Sequence, residues 1–128
     1  MIKDPGKLFL CLRNSATVAH VLHLGAIGDG SYAKHKALDV YYQGGDDKDS
    51  IVDIADRFAE AYMGLMDGER IKFNTCSFKL EQDPIKMLKG IRVEIEAAQA
   101  ESGDSMINQI LDDAKELVCG TIYLLTLK

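Results

Sequence analysis

The sequence predicts an all-α protein: one domain of four helices packed as a bundle, with a long crossover between helices two and three. Three observations carry this. Apolar residues recur at spacings of three and four through four long segments. Asp4 and Asp83 each precede a proline, Pro5 and Pro84, so a capping carboxylate stands before a proline at the first helical position. The connections inside each helix pair are short, whereas residues 69–82 separate the pairs. Short turns make antiparallel neighbours, and one long connection lets helices two and three run parallel. Apolar spacing alone fits an up-down-up-down bundle equally well, so the length of the crossover is the one sequence argument for this arrangement.

Helix one is expected over about 5–27. Leu8, Leu12, Ser15, Ala19, Leu22 and Ala26 form its buried face, and Gly28, Asp29 and Gly30 stop it. Ser31 is a candidate N-cap for helix two, which covers 31–43, breaks at Gly44–Asp49 and resumes over 50–66. Residues 69–82 lack a helical period and read as an extended crossover with room for a short strand. Helix three covers 84–101, with Ile85, Leu88, Ile91, Ile95 and Ala98 inward. Helix four covers 105–126 and has the clearest period, through Ile107, Ile110, Leu111, Ala114, Leu117, Val118, Ile122 and Leu125.

Composition narrows the function. The 128 residues suffice for a core without disulfides or a structural metal. Fifteen basic and twenty acidic residues give a formal charge of −5 with histidine neutral. Nucleic-acid binding is therefore not expected, since it requires a basic excess or tail. Cys11, Cys76 and Cys119 are odd in number and lack CxxC spacing, so neither a zinc knuckle nor a redox dithiol is expected. A reducing, cytoplasmic setting fits them, with Cys11 and Cys119 as packing residues. The apolar run near the start is too short for a signal peptide, and there is no 18-residue apolar stretch to span a membrane.

The three histidines all fall between positions 20 and 35. His20 and His23 share a helix face, and Asp39 lies one turn beyond His35. Asp53, Asp56 and Glu60 fall at i, i+3 and i+7 on one face of the resumed helix two. Singly, a histidine near a helix end caps it and a row of carboxylates is a solvated face. Together, imidazole and carboxylate are the donors that iron, manganese or zinc would take, and neutral imidazole binds near pH 7 without losing a proton. Tyr41 and Tyr42 are either core or neighbours of this cluster.

The spacing His23-x11-His35-x3-Asp39, followed by Asp56-x3-Glu60, resembles the Dps group of the ferritin-like superfamily. The run from His20 through Ser31-Tyr32-Ala33-Lys34-His35-Lys36-Ala37-Leu38 to Asp56, Glu60, Tyr62 and Gly64 is closer still to small ferritin-like proteins of tailed phages, especially those of cyanobacteria. The resemblance implies a ferritin-like bundle in a homodimer or larger homo-oligomer. It also implies a ferroxidase-type site that oxidises or sequesters iron. In that site His23 and His35 come from one chain and Asp56 and Glu60 from its two-fold partner, with Asp39 as a supporting acid and His20 as a substitute.

Departures from the pattern bear on that site. Leu24 and Gly25 replace the tryptophan-asparagine of Dps proteins, a basic tail is lacking, and helices three and four hold no histidine. Residues Gly44–Asp49 are extra. In an unbroken helix, six added residues would rotate the remaining turns by about 600°, a net −120°. Helix two must therefore break and resume in phase, or the site is lost. Asp53 is the reserve ligand, 18 residues from His35 or about five helical turns. The alternative is a non-catalytic helical module that keeps the scaffold and acts on a host or virion protein.

Overall fold

The computed structural model describes residues 1–28, 31–74 and 79–127. Asp29, Gly30, Cys76 and Lys128 lie outside the described residues, as does the side chain of Ser31 with its expected capping role. Among the described residues, five helices run in the order α1 (Pro5–Leu24), α2 (Ser31–Gln43), α3 (Ile51–Leu65), α4 (Pro84–Ser102) and α5 (Ser105–Leu125). The all-α expectation holds, and the expected second helix is the pair α2 and α3. In the described part of the crossover, residues 69–74 and 79–82 form neither helix nor strand.

The helix starts follow their caps. Asp4 accepts from the Lys7 N–H, and Asp83 accepts from the N–H groups of Ile85 and Lys86. Ser50 and Asp53 form a reciprocal capping box: Asp53 N–H donates to Ser50 Oγ, and Ser50 N–H donates to Asp53 Oδ2. α1 ends at Leu24, three residues before the expected stop, with Gly25 as its C-cap. Between α2 and α3, Gly44 has φ +82°, and a Cβ there would meet the Lys48 carbonyl oxygen at 2.8 Å. Glycine is required to turn the chain at this break.

Contacts fix the helix directions. Tyr62 reaches the Ile2 carbonyl, Arg13 pairs with Asp56, Ser15 bonds Tyr41 and His23 meets His35. α1 therefore runs antiparallel to α2 and α3. α5 is likewise antiparallel to them, with Asp113 beside Arg57 and Leu124 in one groove with Ala37. Gln99 with Asn108, and Glu96 with Lys115, make α4 and α5 a hairpin. α1 and α5 thus point one way, and α2, α3 and α4 the other. α1 and α5 each pack on α2, α3 and α4, and stand diagonally across the bundle.

These directions force the crossover to travel the length of the bundle. It starts along α1, where the Lys72 backbone crosses Gly6 and Phe73 stacks edge-on against Phe9 at 5.3 Å. The core between the helices is apolar. Leu12, Tyr41, Phe58, Leu88, Ile95, Leu111 and Val118 are fully buried. Tyr41 is therefore a core residue, and its hydroxyl pairs with Ser15 at 2.8 Å. Burial holds the phenol above its usual pKa. Cys11 and Cys119 are half-buried on α1 and α5.

Candidate functional site

Helical spacing builds one side-chain cluster between the end of α1 and α2. His20 and His23 are one turn apart on α1, while His35, Asp39 and Tyr42 occupy i, i+4 and i+7 on α2. The His23 and His35 rings lie 3.6 Å apart between centres, and His20 stacks on Tyr42 at 4.6 Å. The Tyr42 hydroxyl is 3.2 Å from His23 Nδ1. Asp39 Oδ1 is 3.9 Å from His23 Nε2, a charge contact rather than a hydrogen bond. Gln43 Nε2 donates to both Asp39 Oδ1 and the Tyr42 hydroxyl, which ties the two together.

His23 is the centre of this cluster, with its side chain only 12% exposed. Its pKa is pushed below the ordinary histidine value. Burial is the main cause, the charges of His35 and His20 add to it, and Asp39 opposes it. The neutral imidazole is thus the favoured form near pH 7. Lys34 and Lys36 flank His35 and add positive potential at the cluster's edge.

The lowered pKa makes stability depend on pH. The unfolded chain protonates His23 near pH 6.5, whereas the fold holds its pKa lower, so the unfolded state binds more protons in between. The contribution of neutral His23 is complete above about pH 6.5 and declines as pH falls toward the lowered folded value. Urea unfolding at pH 7.5 and 5.0 checks this: the wild type loses more stability on acidification than His23→Gln does. Equal losses would contradict it.

The other predicted ligands stand elsewhere. Asp56 is half-exposed on α3 and 3.8 Å from Arg13 of α1. Glu60 is exposed one turn further along. Asp53 is occupied by its capping box. The break at Gly44–Asp49 therefore lets α3 resume with Asp56 on the flank that faces α1, as His35 and Tyr42 do on α2. Along α1, Arg13 lies seven residues before His20 and ten before His23, or about 10 and 15 Å at 1.5 Å per residue. Within one chain the histidines and the α3 carboxylates are two separate groups.

Among the described residues, no three His, Cys, Asp or Glu side chains are arranged to hold a metal ion within the single chain. Ring geometry agrees. With metal–nitrogen bonds of about 2.1 Å and ring centres about 1.1 Å behind each nitrogen, two imidazoles on one ion keep centres about 4.5–5.2 Å apart. His23 and His35 are closer than that, so one ring must turn outward to share an ion. His35 is exposed and has room to do so.

The spacing of the histidines and Asp39 is enough to reveal the α1–α2 cluster. Sequence reasoning misses Gln43, although i+4 spacing from Asp39 places it there. The capping role of Asp53 is also readable, from Ser50 three residues earlier.

None of the helices is long and apolar enough to cross a membrane among the described residues. Comparison with curated proteins returns no match, and neither does comparison with solved structures. Residues 29–125, which include α2 to α5 and all the predicted ligands except His20 and His23, match the Family of unknown function (DUF5856), and the chain belongs to that family.

Proposed function

We propose that this protein binds divalent iron, with manganese or zinc as alternative ions, at a site shared by two copies of the chain. His23 and His35 of one copy would supply nitrogen, and Asp56 and Glu60 of the other would supply oxygen. Asp39 and His20 stand beside the imidazoles as supporting groups. The observation that carries this reading is the α1–α2 cluster, in which a mostly buried, neutral-favoured His23 touches an exposed His35.

The placement of the carboxylates supports a shared site. Asp56 and the histidines lie along one α1-facing side, and Arg13, which Asp56 contacts, stands about 10–15 Å along α1 from the histidines. In a two-fold dimer, residue i meets residue j and j meets i. An axis midway along that side lays each imidazole pair over the partner's carboxylates. The Arg13–Asp56 contact is long and half-exposed, hence weak and displaceable. The helix directions, with α4 parallel to α2 and α3, support the ferritin-like arrangement that the sequence resemblance implies. Iron is then the substrate: two Fe(II) ions each give one electron to a peroxide, which takes up two protons and leaves as two waters.

Complementation tests the shared site. Removing groups beside a ligand typically costs 10–100-fold in metal affinity, so His23→Ala or Glu60→Ala alone should cost at least about a hundredfold. Unfolding and refolding an equal mixture of the two variants restores about a quarter of the wild-type sites, since half the dimers are mixed and each holds one intact site. Anaerobic Fe(II) calorimetry reads this stoichiometry. A mixture that binds no more iron than its parts overturns the shared site.

The second reading, a helical module acting on a host or virion protein, is favoured by a separate groove on the other flank of α2.

A further inference from the structure

The flank of α2 away from the histidines meets α3 and α5 around an open groove of about 540 Å³. The turn between α2 and α3 contributes Asp47, Lys48 and Asp49 to its rim. Ala37, Val40, Ile54, Leu117 and Leu124 make an apolar lining. On α5 the lining extends from Asp113 to Leu124, about 16 Å of helix at 1.5 Å per residue. Gly120 opens the middle, and a Cβ built there meets nothing within 4 Å. At the mouth, Tyr123 is 63% and Leu124 41% exposed, which continues the apolar strip past the cavity.

The charges around this strip have one sign in excess. Asp47, Asp49, Asp113 and Glu116 face Lys48 and Arg57, a net −2. Arg57 is already committed, because one terminal nitrogen donates to Asp49 at 3.0 Å and the other to Asp113 at 2.9 Å. These partners hold it charged and leave it little pull on an anion. Asp47 is fixed at the rim by a left-handed backbone, φ +62°.

We propose that this groove is a docking site for a basic amphipathic helix of a partner protein. Its apolar face lies along α5 over Gly120, and its lysine or arginine residues meet Asp47 and Glu116. The length of the lining matches about three helical turns, an apolar trough takes an amphipathic helix by its i, i+3, i+4 face, and the acidic rim selects the basic class.

The test uses two fluorescently labelled 18-residue amphipathic helices, one leucine–lysine and one leucine–glutamate, titrated with the full chain and read by anisotropy. The lysine peptide binds, and binding weakens with added salt. Gly120→Trp fills the groove without changing charge and weakens binding at least about tenfold. Gly120→Leu serves the same purpose if the tryptophan variant misfolds. The double reversal Asp47→Lys with Glu116→Lys also weakens it at least about tenfold, whereas the distant reversal Asp67→Lys with Glu69→Lys leaves it within about twofold. Failure of the lysine peptide to bind overturns the proposal. So do equal binding of the glutamate peptide, indifference to the filled groove, and equal effects of near and distant reversals. Sedimentation without peptide decides the remaining occupant: self-association abolished by Gly120→Trp would assign the groove to a second copy and overturn the proposal as well.

Discussion

Replacing Phe58 by alanine lowers the free energy of unfolding by about 3–5 kcal/mol, the usual cost of emptying a buried aromatic site. Phe58 is fully buried in α3 and packs 5.7 Å from Tyr62 between ring centres. α3 touches both α1 and α5, so the cavity opens where the two antiparallel contacts of the helix meet. α3 has little freedom to shift and fill it, because Arg57 ties it to Asp113 of α5 and Tyr62 ties it to the Ile2 carbonyl. Urea denaturation monitored at 222 nm measures the loss. A cost below about 1 kcal/mol would mean that α3 is not packed as described.

Gly6→Ala costs about 1–3 kcal/mol, although alanine is the better helix former. A Cβ at position 6 would stand 2.1 Å from the Lys72 carbonyl oxygen, far inside contact distance. That neighbour is backbone and cannot rotate away, so the crossover must lift off α1. Ile71, now buried, would come away with it. The expected result is a lower melting temperature together with faster hydrogen exchange over residues 69–74. Gly90→Ala, with open space around its Cβ, is the control and should be neutral or stabilising. Similar behaviour of the two variants would contradict the close approach at Gly6.

These two positions show where sequence reading succeeds and where it ends. The helices are legible because local rules act alone: capping aspartates, before Pro84 in α4 and before Ser105 in α5, and apolar residues every three or four positions mark these two helices to within a residue. α1 is three residues shorter than its apolar spacing predicts, because Ala26 continues the spacing while Gly25 ends the helix. The break before α3 is legible from its glycines and aspartates. Helix directions are legible only through the lengths of the connections, because apolar spacing is blind to them, and a residue such as Gly6 reveals its neighbour only in three dimensions.

The candidate site divides along the same line. His20, His23, His35, Asp39 and Tyr42 are brought together by helical spacing across one turn, so the sequence already points to them. Asp56 and Glu60 share a helix face by spacing, but their distance from the histidines depends on how α3 resumes after the break and on whether a second copy covers that side. The groove is not legible at all, because it depends on how α2, α3 and α5 meet around the turn before α3 and on the absence of a side chain at Gly120.

The most direct test of the central claim is an anaerobic calorimetric titration of chelator-stripped protein with Fe(II) at pH 7, repeated with Mn(II) and Zn(II). A shared site predicts saturable uptake of at least one ion per chain, lost in His23→Ala while helicity is unchanged. Absence of saturable uptake for all three ions, or uptake that His23→Ala leaves intact, would contradict it.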